Sequence, residues 1–185
     1  MGSYKATIFL NGLLWRERIK RHIDQFYRSR NADEIARGFK LMKSQLDYNS
    51  SLLPFLIARG VAFIVVIRDN DFDTALSWSK SQMTGLYHSS EKKTSQTIEV
   101  PLSFFELQLD RASKNRKFLE KFAAENCCHK VNYTDLIERW EESIESIGAY
   151  IGLEDLKVKR SLEKLVASDR VRVTNLDQLR ERFDS

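Results

Sequence analysis

Two residues in this 185-residue chain have the type and placement to hold an anion: Arg68 and Ser77. Arg68 directly follows Val61-Ala62-Phe63-Ile64-Val65-Val66-Ile67, the longest apolar stretch of the sequence, and Ser77 lies nine residues farther on. A guanidinium presents a planar fork of donors that matches a phosphate, and a hydroxyl adds one more donor. The turn Arg68-Asp69-Asn70-Asp71 then leads into a helical pattern, whose N-terminus would contribute partial positive charge and free N–H groups. The same arginine has another possible use, as an ion-pair partner of Asp69, Asp71 or Asp73.

These residues need elements that hold them. Val61 to Ile67 is apolar on both faces and rich in β-branched residues, which is how a strand buried inside a parallel sheet reads. In open α/β sheets ligands bind beyond the carboxyl ends of the strands, and Arg68 stands at that rim. The flanking strands are expected at Ala36–Met42, around Phe39, and at His129–Tyr133, around Val131. Ala6–Leu10 is a further strand candidate. Helical periodicity predicts helices over Asn11–Ser29, Ser50–Arg59, Phe72–Met83, Leu102–Asn126, Asp135–Gly148 and Leu156–Ala167, with another starting near Asn31. Gly60 and Gly152 read as helix stops, and the tail after Ala167 reads as polar and basic. Strands alternating with helices predict an α/β fold, a three-layer parallel sheet flanked by helices.

Composition narrows the function. With 42 % apolar and 30 % charged residues the chain can bury a core, and no run approaches the ~18 apolar residues of a membrane span. Seven glycines, two prolines, no repeat and no low-complexity linker predict a single domain over residues 1–185. The net charge of +4 suits an anionic ligand, whereas its dispersal along the chain argues against nucleic acid. Cys127 and Cys128 are adjacent, so neither a disulfide framework nor a zinc site is expected. A reducing, cytoplasmic setting follows, and the first residues do not read as a secretory signal.

The order of several segments resembles the sulfotransferase family, in its carbohydrate-modifying bacterial and plant branches, the trehalose and nodulation-factor type. Gly38-Phe39-Lys40-Leu41-Met42 with Gln45 resembles the strand before the family's phosphate motif. Arg59 to Arg68 is similar to the next strand and its arginine, and Thr74-Ala75-Leu76-Ser77-Trp78 to the helix with its phosphate-binding serine. Gln82-Met83-Thr84-Gly85-Leu86-Tyr87-His88, Val131-Asn132-Tyr133-Thr134-Asp135-Leu136 and Asn175-Leu176-Asp177-Gln178-Leu179 resemble later family segments. The resemblance spans roughly residues 36–183.

It implies a P-loop-like sulfotransferase fold whose N-terminal part is incomplete in this chain. It implies transfer of a sulfonate from 3′-phosphoadenosine 5′-phosphosulfate to a hydroxyl, of a carbohydrate in these branches, without a metal. Arg68 and Ser77 would then bind the 3′-phosphate, and Arg170 and Arg172 would fold over the donor. Lys40 and Gln45 would face sulfate or acceptor, and His88 would act as a base or substrate contact. Two departures stand out. Asp69 follows Arg68 where many relatives carry a second basic residue. Asn11-Gly12-Leu13-Leu14-Trp15, after the first strand candidate, is not the Ser/Gly-rich loop that nests the 5′-phosphosulfate in the family. The alternative expectation is therefore a non-catalytic remnant of the fold that binds nucleotide or a partner.

Overall fold

A computed structural model describes residues 17–28, 36–86, 96–153, 158 and 171–183 of the chain. It divides into two compact units, Met1–Val61 and Ala62–Ser185. The described residues are mostly helical, with a few short parallel strands.

The first unit is helical where described. Helix α1 covers residues 17–28 and turns Ile23 inward. Helices α2 (Lys43–Tyr48) and α3 (Leu52–Ala58) follow. Leu52 and Leu56 are buried on α3, and Gly60 stops it with φ +65°, donating its N–H to the Ile57 carbonyl at 2.9 Å. The strand expected at Ala36–Met42 does not form: residues 36–42 are irregular. Gly38 sits mid-segment, and among the described residues no neighbouring strand takes up the backbone groups. The apolar side chain goes elsewhere. Phe39 packs edge-on to Phe26 at 6.0 Å, and Arg37 donates to the Phe26 carbonyl at 2.6 Å. The candidate strand Ala6–Leu10, the start of the first helix and the helix near Asn31 lie outside the described residues.

In the second unit, β1 (Phe63–Ile67) and β3 (Cys128–Asn132) pair in parallel, with Phe63 opposite Cys128 and Ile67 opposite Asn132. The long α5 (Leu102–Glu125) lies on one face, where Phe63 meets Phe122 at 5.2 Å. Helix α7 (Trp140–Ile151) lies on the other, where His129 stacks on Tyr150 at 5.2 Å. Val65 and Ile67 are buried, yet Ile64 and Val66 keep 40 % exposure each. The expected flanking by two strands is met on one side only: among the described residues β3 is the one strand beside β1. A doubly apolar run reads the same in either setting.

Helix α4 (Asp71–Thr84) begins at Asn70, whose side chain accepts from the Asp73 N–H at 2.9 Å, and ends at Gly85 with φ +69°. The single helix expected over Asp135–Gly148 is two, α6 (Tyr133–Glu138) and α7, broken at Arg139. Asn132 caps α6 by accepting from the Thr134 N–H at 2.8 Å, and Gly152 closes α7. The expected helix Leu156–Ala167 falls outside the described residues save Val158.

The tail is more ordered than its polarity suggests. Strand β4 (Val171–Val173) pairs in parallel with β2 (Gln96–Ile98), and helix α8 (Leu176–Phe183) follows. Here lies the main core: Phe72 and Ala75 of α4, Val100, Phe105 of α5, Val173 and Leu179, with Leu176 and Phe183 against them. Phe105 is its centre, fully buried and 5.0 Å from Phe72 and 5.5 Å from Phe183. No helix among the described residues is long and apolar enough to cross a membrane.

Candidate anion site at the strand ends

The parallel register builds the site. Ile67 stands opposite Asn132, so the residues that follow, Arg68 and Tyr133, leave the two strands side by side. The Arg68 guanidinium lies 3.8 Å from the Tyr133 ring centroid. That contact is a cation–π interaction, which anchors the guanidinium over the ring. None of Asp69, Asp71 and Asp73 pairs with Arg68; among the described residues it has no ion pair and no hydrogen bond from its side chain.

Two of the three carboxylates are occupied otherwise, and the third is exposed. Asp69 accepts from the Asn132 side-chain amide across the strand ends. Asp71 takes two hydrogen bonds from Arg116 of α5, at 3.0 Å each. Those bonds, and a further one to Glu120, hold the Arg116 guanidinium above its ordinary pKa. Asp73 is exposed, and its N–H is taken up by Asn70. The start of α4 is thus already capped and carries two acidic residues, so it offers an anion less than a bare helix end would. Arg68 itself stays without an ion pair among the described residues.

Ser77 sits on α4 with an exposed side chain, on the same helical face as Asp73 and Lys80. Gln45 accepts from the Met42 N–H at 2.7 Å, so in this structure its amide closes the start of α2. Lys40 is exposed in the irregular segment before α2. Both belong to the first unit. Arg172 is on the exposed side of β4, in the second sheet rather than beside Arg68. His88 and Arg170 lie outside the described residues.

A concave region, an open groove of about 240 Å³, runs along β3 and α7 and is lined among others by His129, Lys130, Asp135, Arg139 and Ser146. Its charges are largely spent internally. Arg139 pairs with Asp135 and lies 4.0 Å from Glu142, and His129 shares a 3.2 Å hydrogen bond with Ser146. Among the described residues no cluster of three or more His, Cys, Asp or Glu side chains could hold a metal ion.

The sequence reading missed Tyr133 as a partner of Arg68 and Asn132 as a partner of Asp69. A usable signal was there: once the two segments are taken as parallel neighbours ending level, the residue after each end becomes a neighbour of the other. Comparison with family models, with curated proteins and with solved structures gives no match for this chain.

Proposed function

We propose that this chain binds a nucleotide phosphate at the strand-end rim and that it is sulfotransferase-like, moving a sulfonate from 3′-phosphoadenosine 5′-phosphosulfate to a hydroxyl, of a carbohydrate by the resemblance. One observation carries the reading: a guanidinium at the carboxyl end of a parallel strand, held over an aromatic ring with no carboxylate partner among the described residues. Three carboxylates stand within five residues of Arg68, and each is bonded elsewhere or exposed. An arginine kept for structure alone would be expected to use one of them. Ser77 supplies a hydroxyl on the helix that follows.

Catalysis in such an enzyme rests on positioning and on stabilising charge on the transferred group, more than on covalent chemistry by the protein. Charge-assisted bonds to a phosphate contribute ~1.5–3 kcal/mol each. Calorimetry with adenosine 3′,5′-bisphosphate should therefore show binding that Arg68→Ala weakens roughly tenfold to a hundredfold, and Ser77→Ala weakens less. Equal affinity in wild type and Arg68→Ala overturns the site.

A second reading, a non-catalytic nucleotide- or partner-binding remnant, is favoured by two features. Asp69 stands beside Arg68, and residues 11–15 lack the Ser/Gly-rich character of a phosphosulfate nest. Preorganised donors at such a nest are worth ~2.7–4 kcal/mol apiece, so their loss separates binding from turnover. A labelled-donor assay over a panel of sugar acceptors decides. Turnover near ~1 s⁻¹ or faster supports the enzyme, and binding without turnover supports the remnant.

A further inference from the structure

Lys80 was not singled out by its place in the sequence, yet it is the one cation of α4 and it is drawn partly out of water. Asp73, Ser77 and Lys80 follow one another at spacings of four and three residues, which puts them on one face of the helix. Lys80 is half-buried, and among the described residues its ammonium makes neither an ion pair nor a hydrogen bond. Burial lowers its pKa below the ordinary lysine value, with the Asp73 charge opposing that shift. The influence of Asp73, two turns toward the N-terminus, agrees with the direction in which helical side chains lean. That general lean would carry the Lys80 stem toward the turn that bears Ser77. Ser77 lies ~9 Å along α4 from its first residue and Lys80 ~4.5 Å farther, and the backward lean recovers most of that last step.

An ammonium drawn partly out of water with no partner is unfavourable unless an anion joins it. We propose that Lys80 is a second cationic contact for the phosphate bound by Arg68 and Ser77, and that the site is selective for a phosphate monoester, whose two charges can engage both cations. This inference rests on the reading of Arg68 and Ser77 as an anion site.

The test is calorimetry with adenosine 3′,5′-bisphosphate on wild type, Lys80→Met, Lys80→Arg and Arg68→Ala, with a thermal melt of each. Lys80→Met should weaken binding about fivefold to tenfold, and Lys80→Arg should restore most of it. The melting temperature of Lys80→Met should hold or rise, since an unpartnered, half-buried charge is removed. A lysine needed only for structure would behave in the opposite way. If Arg68→Ala weakens binding and Lys80→Met does not, the Lys80 contact is wrong while the anion site stands. If wild type and Arg68→Ala bind equally or not at all, the anion site falls and this inference with it. Should Lys80→Met lose both stability and affinity, Lys80→Arg decides: recovery of affinity supports the contact, and no recovery overturns it.

Discussion

Among the described residues the second unit contains two parallel strand pairs, and their carboxyl ends are finished in opposite ways. At the end of β1–β3 stand Arg68, Asp69, Asn132 and Tyr133, and among the described residues the guanidinium has no counter-ion. At the end of β2–β4 the chain closes on itself. Thr174 donates to the Ile98 carbonyl at 2.9 Å. The Asn175 side chain then accepts from the Val100 N–H at 3.0 Å and donates to the Val100 carbonyl at 2.8 Å. An amide side chain thus extends the ladder by one residue, and the start of α8 covers it with Leu176 and Leu179. The same local topology yields a rim with an unpaired cation, among the described residues, in one place and a sealed rim in the other. What differs is the residue type that follows the strand: a long cation held over a ring against a short amide that satisfies buried backbone.

The contrast breaks most directly at Phe105. Phe105→Ala removes the ring on which the sealed region packs and should cost ~3–5 kcal/mol, or roughly 6–20 °C in melting temperature. If the melt is unmoved, the core does not lie where Phe72, Phe105 and Phe183 meet. Asn175→Ala is milder. It leaves the N–H and C=O of fully buried Val100 without partners, for a loss of ~1–3 kcal/mol in urea unfolding. The Val100 amide should also exchange with solvent faster in this variant than in wild type. Unchanged protection there would mean that the amide clamp does not seal the second rim.

The smallest effect belongs to the open rim. A cation–π interaction at a half-exposed site contributes ~0.5–1 kcal/mol. Tyr133→Leu should therefore weaken adenosine 3′,5′-bisphosphate binding about twofold to fivefold with little change in stability. Tyr133→Phe, which keeps the ring, should bind as wild type does. If Phe and Leu at this position weaken binding equally, the hydroxyl matters rather than the ring, and the account of how Arg68 is held is wrong.

Local pattern alone located much of this protein. The apolar, β-branched run ending at Ile67, the helices that became α3, α4 and α5, and the stops at Gly60 and Gly152 were all legible, because each depends on neighbours a few residues apart. The strand around Val131 was legible for the same reason, and with it the placement of Arg68 at a strand end. The Ala36–Met42 strand failed because a strand exists only if another supplies its hydrogen bonds, and composition does not reveal the partner. Pairing also decided the tail. Residues 171–173 are too short and too polar in context to read as a strand, yet β2, some 75 residues away in the chain, gives them one, and the Asn175 clamp fastens it. The chemistry divides along the same line. Sequence placed a guanidinium after a strand and a hydroxyl on the next helix. Only the tertiary structure decided that Arg116 and Asn132, rather than Arg68, occupy Asp71 and Asp69, and that Tyr133 holds the Arg68 cation in place. Which of several nearby carboxylates an arginine meets is set by long-range packing, because their distances along the chain are nearly equal and their distances in space are not.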